Sequence, residues 1–452
     1  MRKCIGAFRS RILRHPPGHM LRRRKPRVFP VRRKDSEDEA TGQDAGSCAF
    51  ENLSLFLRCR NESAASVAAL TGRRKRMIDI RDKRDCCGCG ACMQRCPAQC
   101  IRMEEDAEGF AYPVVDADAC IGCGACEKVC PMLRPAETRP PRRTLAARCP
   151  DERMRLRSSS GGIFPLLAGK ILDEGGAVFG AAFTSEWEVV HRTAERPEEL
   201  DALCGSKYVQ SAVADTYRQA EKLLRAGRRV LFTGTPCQIA GLHGYLGRGQ
   251  YPGLLTAECL CHGAPSPGVW RRYVREAEKE GQIEEIRFRD KSTGWRNYSV
   301  VFSTASGERR MPHRECLYMR GFLRDLYLRP SCYECRFKCG KSGSDLTLGD
   351  LWGVERALPF PDDDKGVSLV LVNTPAGAEA FDALPAQTAE VDLAAAARSN
   401  GGFSERIPVP AQRAAFFRRL NTAGRIPELI RRHLKPSLPQ RLARSIRKIF
   451  HR

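Results

Sequence analysis

The residues with the clearest chemistry are eight cysteines between Cys86 and Pro131, where one spacing occurs twice. Each copy reads Cys-x-x-Cys-x-x-Cys-x-x-x-Cys-Pro. In proteins with this spacing the first three thiolates of a copy bind one [4Fe-4S] cluster, and the fourth binds the other cluster. The spacing therefore predicts one cluster on Cys86, Cys89, Cys92 and Cys130. It predicts the second cluster on Cys96, Cys120, Cys123 and Cys126.

Zinc is the alternative metal for Cys-x-x-Cys pairs. A structural zinc ion needs only four ligands, usually in two separated pairs, whereas each copy here supplies four cysteines at the iron-sulfur spacing. The glycines and alanines between the cysteines let the backbone curl around a bulky cluster and direct N–H groups at its sulfurs. Cys87 and Cys100 fall outside this register, so we predict that they are not ligands.

A second set of cysteines lies in the C-terminal part of the chain. Cys237 follows a predicted strand and begins a predicted helix, a position that lowers the pKa of a thiol and suits a ligand or a nucleophile. A single Cys-x-x-Cys pair is weak support for a metal. In a chain that already carries two clusters, however, this set suggests a third metal site assembled by the fold. Its other members are Cys259, Cys261, His262, Cys332, Cys335 and Cys339.

A loop rich in serine and glycine, from Arg157 to Ile163, leads into a predicted helix. Its two glycines allow close backbone approach, and the positive end of the helix favours an anion such as the phosphate of a flavin or nucleotide. The alternative is an ordinary cap, in which a serine hydroxyl accepts a hydrogen bond from a free N–H group of the first turn. The local pattern leaves both interpretations open.

The elements that must position these residues alternate between strands and helices after residue 144, which indicates an α/β domain with a largely parallel or mixed sheet. The predicted strands are Ala177–Phe183, Val230–Phe232, Leu254–Cys259, Ile283–Phe288, Tyr298–Ser303, Asp345–Leu348 and Val367–Val372. The predicted helices are Ile163–Glu174, Asp215–Ala226, Ile239–Leu246, His313–Leu326 and Pro375–Leu384.

We expect five regions in the chain. Residues 1–76 form a basic extension that is disordered or not part of the native protein, and residues 77–134 form a domain with two [4Fe-4S] clusters. A linker over 135–144 leads to the α/β domain over 145–397. Residues 398–452 form a basic segment with an amphipathic helix from Pro439 to Arg452. The fold class is thus α+β for the cluster domain and α/β for the domain that follows.

The charge is concentrated at the two ends. Residues 1–76 hold 19 Lys and Arg against 7 Asp and Glu, and residues 398–452 hold 14 against 2, so each end has a net charge of +12 out of the total of +23. The body between them is close to neutral. Such tails can bind nucleic acid or an anionic surface without sequence preference, and no nucleic-acid recognition motif accompanies them, so we expect no specific nucleic acid as a partner.

Cysteine usage and hydropathy bear on the compartment. The 22 cysteines occur as metal-ligand runs in a chain with no secretory signal and no long apolar run, so we expect a reducing, cytoplasmic location. The C-terminal helix alternates apolar and basic residues and allows peripheral contact with an anionic membrane. Packing on its own domain is the more common use of such a helix.

Together these motifs resemble the coenzyme F420 hydrogenase/dehydrogenase beta-subunit family, in particular its bacterial members with a fused N-terminal ferredoxin domain. The likeness covers roughly residues 77–420. It rests on the double cysteine run, on the loop Ser159–Gly162, and on five further motifs in the same order. These are Cys204–Gln210, Gly234–Gln238, Cys261–Ser266, Phe288–Lys291 and Gly349–Gly353.

The resemblance implies an FAD-binding iron-sulfur protein in which a third [4Fe-4S] cluster lies beside the flavin. The cysteine positions of that third cluster in the family are matched by Cys237, Cys261, Cys332 and Cys335. Cys259 and Cys339 are additional in this chain, so the identity of the fourth ligand of the third cluster stays open. Many bacterial members resemble proteins of surface-polysaccharide gene clusters, which leaves the substrate undefined. We expect the flavin to contact Ser159, Ser160, Gly161, Gly162, Lys207 and Thr235.

Two functions fit these expectations. The first is an oxidoreductase that passes electrons from a ferredoxin or another low-potential donor through its clusters to FAD and on to an unidentified small organic substrate. The second is an electron-transfer subunit without a substrate of its own, which serves a partner oxidoreductase.

Overall fold

Four parallel strands lie at the centre of the computed structural model, which describes residues 76–247, 251–353, 358–403 and 406–434. In chain order the strands are β1 Ile101–Glu105, β2 Ala111–Val115, β3 Arg143–Arg148, β4 Ala177–Phe183, β5 Val189–Ala194, β6 Val230–Gly234, β7 Leu254–Cys259, β8 Ile283–Asp290, β9 Ser299–Thr304, β10 Gly307–Pro312, β11 Leu346–Asp350, β12 Ser368–Val372 and β13 Gln387–Glu390.

The α-helices are α1 Ala91–Arg95, α2 Ala125–Lys128, α3 Glu152–Arg157, α4 Ile163–Asp173, α5 Leu200–Leu203, α6 Thr216–Arg225, α7 Pro236–Leu246, α8 Pro267–Ala277, α9 Leu317–Phe322, α10 Pro375–Asp382, α11 Leu393–Arg398, α12 Arg413–Leu420 and α13 Ile426–Leu434. Short 3-10 helices cover Lys83–Asp85, Pro197–Glu199, Glu278–Glu280, Pro330–Tyr333 and Gly401–Phe403.

The cysteine-rich region is built from two short helices and one antiparallel hairpin of β1 and β2. Helices α1 and α2 begin directly after Gly90 and Gly124, whose φ angles of 70° and 67° lie in the left-handed region that glycine adopts without strain. Each helix carries the third cysteine of its run, Cys92 or Cys126. The repeated sequence thus folds as a repeated structure, as the spacing predicts.

The main sheet has eight strands in the order β13-β3-β12-β11-β7-β6-β4-β5. Strands β4, β6, β7 and β11 are parallel, and the outer strands on both sides pair antiparallel. Antiparallel β8, β9 and β10 form a second sheet. The α/β fold class with a mixed sheet is confirmed.

Three departures from the sequence-based boundaries bear on the organisation of the chain. The predicted helix His313–Leu326 is only α9, because a turn precedes it and the helix ends at Phe322, three residues before Asp325 with its φ of 59°. Strand β3 begins at Arg143, inside the predicted linker. Helices α12 and α13 pack on the body through the fully buried Phe416 and Ile430, so 398–434 is not a separate tail.

Two predicted features fall at the ends of the chain. The amphipathic helix over 439–452 and most of the basic extension over 1–76 lie outside the described residues. Within the part of the chain that is described, no helix is both long and apolar enough to cross a membrane.

Candidate iron-sulfur and flavin site

The first predicted cluster set lies between the cysteine-rich region and the body. Cys86, Cys89 and Cys92 are buried, and Cys130 is partly buried. Burial raises the pKa of the Cys92 thiol to about 12, and the negative charges of Cys86 and Cys130 add to the effect. Cys130 packs against the same buried clusters as Cys89 and Cys92, so the crossed pairing of Cys130 with the first run is consistent with this structure.

The second predicted set lies at the surface. Cys96, Cys120, Cys123 and Cys126 line one small cavity. The Ile78 N–H donates to Cys126 Sγ at 3.2 Å and the Gly122 N–H to Cys120 Sγ at 3.4 Å. Donors of this kind are typical of cysteines that hold iron-sulfur clusters.

Two further features mark the surroundings of the second set. Cys123 is exposed, so this set is open to a partner protein. Cys100, predicted to be no ligand, lines the same cavity, with its Sγ 3.4 Å from Cys96 Sγ.

The third predicted set is assembled from three separate elements. Cys237 lies in the first turn of α7, Cys261 follows β7, and Cys332 lies in the 3-10 helix Pro330–Tyr333, three residues before Cys335. Burial raises the pKa of the Cys332 thiol, and the charges of the other three cysteines raise it further. The Ala264 N–H donates to Cys332 Sγ at 3.3 Å. The fold thus collects the four thiols at one place.

A single metal ion needs a different arrangement of ligands from that of a four-iron cluster. Among the described residues, no three His, Cys, Asp or Glu side chains are arranged to hold one metal ion. In a four-iron cluster each thiolate binds a different iron, so its ligands stand further apart than those of a single ion. Buried thiols, N–H groups that donate to their sulfur atoms, and glycines with φ angles in the left-handed region fit such a cluster.

Cys237 and the cysteines around the third set differ in part from the sequence-based expectation. The helix end was expected to lower the pKa of Cys237, but a hydrogen bond with the Cys87 thiol and burial raise it well above its usual range. Cys87, predicted to be no ligand, therefore lies beside the third set. Cys259 is exposed, and Cys339 Sγ lies 3.2 Å from the Phe403 carbonyl oxygen.

A cavity of about 610 Å³ opens next to the third set. That volume lies in the range of pockets that bury a cofactor or small ligand. Cys261 forms part of its wall. Of the six residues expected to contact flavin, five line the cavity, namely Ser159, Ser160, Gly162, Lys207 and Thr235.

Gly161, the sixth, lies behind the cavity wall. Its N–H donates to Ser368 Oγ at 3.0 Å, and a Cβ at this position would overlap the Ala147 carbonyl oxygen. The lack of a side chain at Gly161 therefore lets the loop pack against the ends of β3 and β12.

The loop that enters α4 is not an ordinary cap. The N-cap residue of α4 is Gly162, and no side chain caps the helix. Ser160 Oγ donates instead to the Val367 carbonyl at 2.9 Å, and Ser159 Oγ accepts from the Ser206 N–H at 2.7 Å. Of the two open alternatives, capping by serine is therefore wrong, and the uncapped helix end faces the cavity with Gly162 in its wall.

A buried lysine fixes this loop. Lys291 Nζ donates to the carbonyl oxygens of Arg155, Ser160 and Lys365 at 2.7, 2.6 and 2.7 Å. Three acceptors match the three N–H bonds of an ammonium group. The motif Phe288–Lys291 gave no sign of this role, because all three acceptors lie far from it in the sequence.

Lys207 also lines the cavity. Its Nζ donates to the carbonyl oxygens of Ala202 and Cys204 at 2.7 and 2.8 Å. Burial lowers the pKa of Lys207 to about 8. One of the three N–H bonds of its ammonium form is not used by these two acceptors, which suits a contact with an anionic ligand.

An aromatic wall was also missed by sequence reasoning. The rings of Trp295 and Trp352 stack at 4.1 Å, and Trp295 Nε1 donates to Asp350 at 3.0 Å. Asp350 pairs with the buried Arg289 at 2.8 Å, whose guanidinium lies 4.1 Å from the Tyr298 ring. These residues come from motifs about 60 positions apart, so no local pattern could have joined them.

Helix α7 connects the iron-sulfur regions. A Cβ at Gly241 would lie 2.8 Å from Cys89 Cβ and 3.0 Å from Cys89 Sγ, and one at Gly244 would overlap the Val129 carbonyl. Gly241 is one helical turn after Cys237. Because Gly241 and Gly244 carry no side chains, the cysteines of the first set pack directly against α7. The same helix carries Cys237, a thiol of the third set.

Comparison with known proteins supports the motif-based resemblance. Residues 227–396 match a family described as the C-terminal part of the beta subunit of coenzyme F420 hydrogenase/dehydrogenase, and residues 85–133 match the 4Fe-4S dicluster domain. No curated protein matches the chain.

Among solved structures, a chain of the F420-reducing [NiFe] hydrogenase complex from Methanosarcina barkeri is similar to this chain at 17% identity. The similarity covers 65% of this chain and 91% of that one, with a TM-score of 0.39.

Proposed function

We propose that this chain, an iron-sulfur electron-transfer protein related to the beta subunit of coenzyme F420 hydrogenases and dehydrogenases, is an FAD-dependent oxidoreductase with three [4Fe-4S] clusters. The proposed donor is a ferredoxin or another low-potential protein. The proposed acceptor is a small organic substrate, of the kind reduced in surface-polysaccharide synthesis. Iron-sulfur clusters carry single electrons, and FAD, when bound, combines two of them for reaction at a carbon centre.

The observation that carries the proposal is the order in which the three cysteine sets lie between the surface and the cavity. Cys123 is exposed at the outer end. Cys89 lies against Gly241, one turn from Cys237, and Cys261 stands in the cavity wall. Such an order is what a protein needs if electrons received at its surface are used in an internal pocket.

The cavity residues have roles that do not depend on the reaction catalysed. The Ser159–Gly162 loop and the end of α4 are suited to a phosphate group, because N–H groups at a helix N-terminus attract anions. Lys207 adds a positive charge that favours a phosphate or a reduced, anionic flavin. Trp352 and Tyr298 supply flat surfaces for an aromatic ring.

The test is anaerobic flavin reduction in a variant of the third cysteine set. Replacing Cys332 and Cys335 by serine should remove about four irons and abolish reduction of bound flavin by a low-potential donor, while about eight irons remain. Replacing the buried Cys316 by serine is the matched control, because its thiol lies outside all three proposed ligand sets and outside the cavity wall. It should keep all irons and the wild-type rate.

Other outcomes would favour other functions. If the double variant keeps its full iron content, or if the wild type holds zinc at this place, the internal route is wrong. If the wild type holds all clusters but no flavin and copurifies with a stable partner, the chain is the electron-transfer subunit of that partner.

A further inference from the structure

Arg329 is a fully buried cation at the boundary between the cysteine-rich region and the body. Only 1% of its surface is exposed. Among the described residues it forms no salt bridge with Asp or Glu; all four of its hydrogen-bond acceptors are carbonyl, amide or thiol groups. A buried charge without a counterion is costly, so a negative group must lie near it in the functional protein.

The contacts of Arg329 identify that negative group. Its Nε donates to the Cys86 carbonyl at 2.8 Å, and its Nη2 lies 3.4 Å from Cys86 Sγ and 3.0 Å from the Ala111 carbonyl. The guanidinium also lies 4.2 Å from the centre of the Tyr112 ring. Its nearest source of negative charge is thus the thiolate of Cys86, which we assign to the first cluster.

The surrounding residues hold the guanidinium in this position. Arg329 Nη1 donates to Gln210 Oε1 at 3.2 Å, and Gln210 Nε2 donates to the Cys87 carbonyl at 3.0 Å. Gly88 has a φ of 72°, and a Cβ at this position would lie only 2.8 Å from Arg329 Nη1. Glycine therefore leaves room for the guanidinium. The loop of the first cysteine run therefore closes directly over the charged group.

We propose that Arg329 is a positioning residue that raises the reduction potential of the cluster bound through Cys86. Reduction adds one electron and makes the cluster more negative, and both a fixed positive charge and a hydrogen bond to a ligand sulfur stabilise that state. No bond forms or breaks, and the electron comes from the donor protein. The inference rests on the proposed function, because it requires a cluster on Cys86.

The test is a redox titration monitored by electron paramagnetic resonance, on full-length protein whose iron content has been measured. In Arg329→Gln the charge is lost, and the equilibrium constant for reducing this cluster should fall at least tenfold, or about 59 mV for one electron. In Arg329→Lys the charge is kept and the guanidinium hydrogen bond is lost, so the potential should fall by less than in the glutamine variant.

Arg413→Gln is the matched control. Arg413 also joins the body to the cysteine-rich region, through hydrogen bonds to both carboxylate oxygens of Glu108 at 2.9 and 2.5 Å, but it contacts no cysteine. This variant should leave the potential unchanged.

The possible failures are distinguishable. A wild type that lacks four-iron clusters would overturn both the function and this inference. Clusters with an unchanged potential in Arg329→Gln would overturn the inference alone. If both Arg329 variants lose about four irons, Arg329 is required for cluster assembly instead, and the tuning role is rejected.

Discussion

At the residue scale, the cavity wall depends on side chains whose partners are distant in the sequence. The cysteine spacing was sufficient to predict the ligand candidates, because three of the four ligands of each ferredoxin-type cluster lie within seven positions. Arg289, Lys291 and Arg329 have partners 61 to 243 positions away, and a single sequence contains no local signal for such pairs. Their roles became visible only in the structure.

Lys291 provides a direct test of how the serine-glycine loop is held. Replacement by methionine keeps the length of the side chain but removes its three hydrogen bonds to backbone carbonyls, leaving these oxygens unsatisfied. We expect FAD affinity, measured by titration of the apoprotein, to fall tenfold or more, which corresponds to about 1.4 kcal/mol. Lys365→Met, which removes a surface ion pair with Glu152, should have no such effect.

His191 makes stability depend on pH. Its Nε2 donates to the Thr233 carbonyl and its Nδ1 accepts from Ser211, both at 3.0 Å, and burial lowers its pKa to about 4. Between pH 6.5 and 4 His191 therefore binds more protons in the unfolded chain than in the folded one. The contribution of neutral His191 to the free energy of unfolding is fully present above pH 6.5 and is lost as the pH falls towards 4.

The measurement for His191 compares the wild type with His191→Gln, which is neutral at every pH. The wild type should lose about 3 kcal/mol relative to the variant between pH 7 and pH 4, in anaerobic denaturant titrations. A difference that does not change with pH would show that His191 is not held in its neutral form.

At the element scale, all four parallel strands were predicted, whereas only some of the antiparallel strands were, namely β8, β9 and β12. β4 and β7 have the predicted bounds, because a strand buried on both faces is a short apolar run that can be recognised locally. β3, whose first two residues fall in the predicted linker, was not predicted as a strand, and neither were β5, β10 and β13. β3 joins the sheet through β12 and β13, more than 200 residues later, and a local pattern does not contain that partner.

Helix α7 is the element that joins the clusters, and its glycines can be tested. Gly244→Ala should destabilise the contact with the cysteine-rich region by about 1–3 kcal/mol, because the new methyl group overlaps the Val129 carbonyl. Gly169→Ala in α4 is the control, since nothing lies within 4 Å of its Cβ, and it should be neutral or stabilising. Flavin reduction by the donor should be slower in Gly244→Ala alone. Equal rates of flavin reduction in the two variants would show that the contact between α7 and the cysteine-rich region does not affect electron transfer.

At the scale of the whole molecule, the predicted basic segment over 398–452 begins with helices that pack on the folded body. Residues 398–434 were grouped with a basic tail because their composition changes there, yet α12 packs on the body and Arg413 pairs with Glu108 of the cysteine-rich region. Composition averages over both faces of a helix, whereas packing depends on one face only. Charge at the chain ends was thus a poor guide to where the folded body stops.

The central claim concerns the whole molecule, namely that one chain holds three four-iron clusters and a flavin in electrical contact. The most direct measurement is the content of iron, acid-labile sulfide and flavin per chain after anaerobic purification of the full-length protein. The account predicts about twelve irons, about twelve sulfides and one FAD. About eight irons with no flavin, or zinc in place of the third four-iron set, would contradict it.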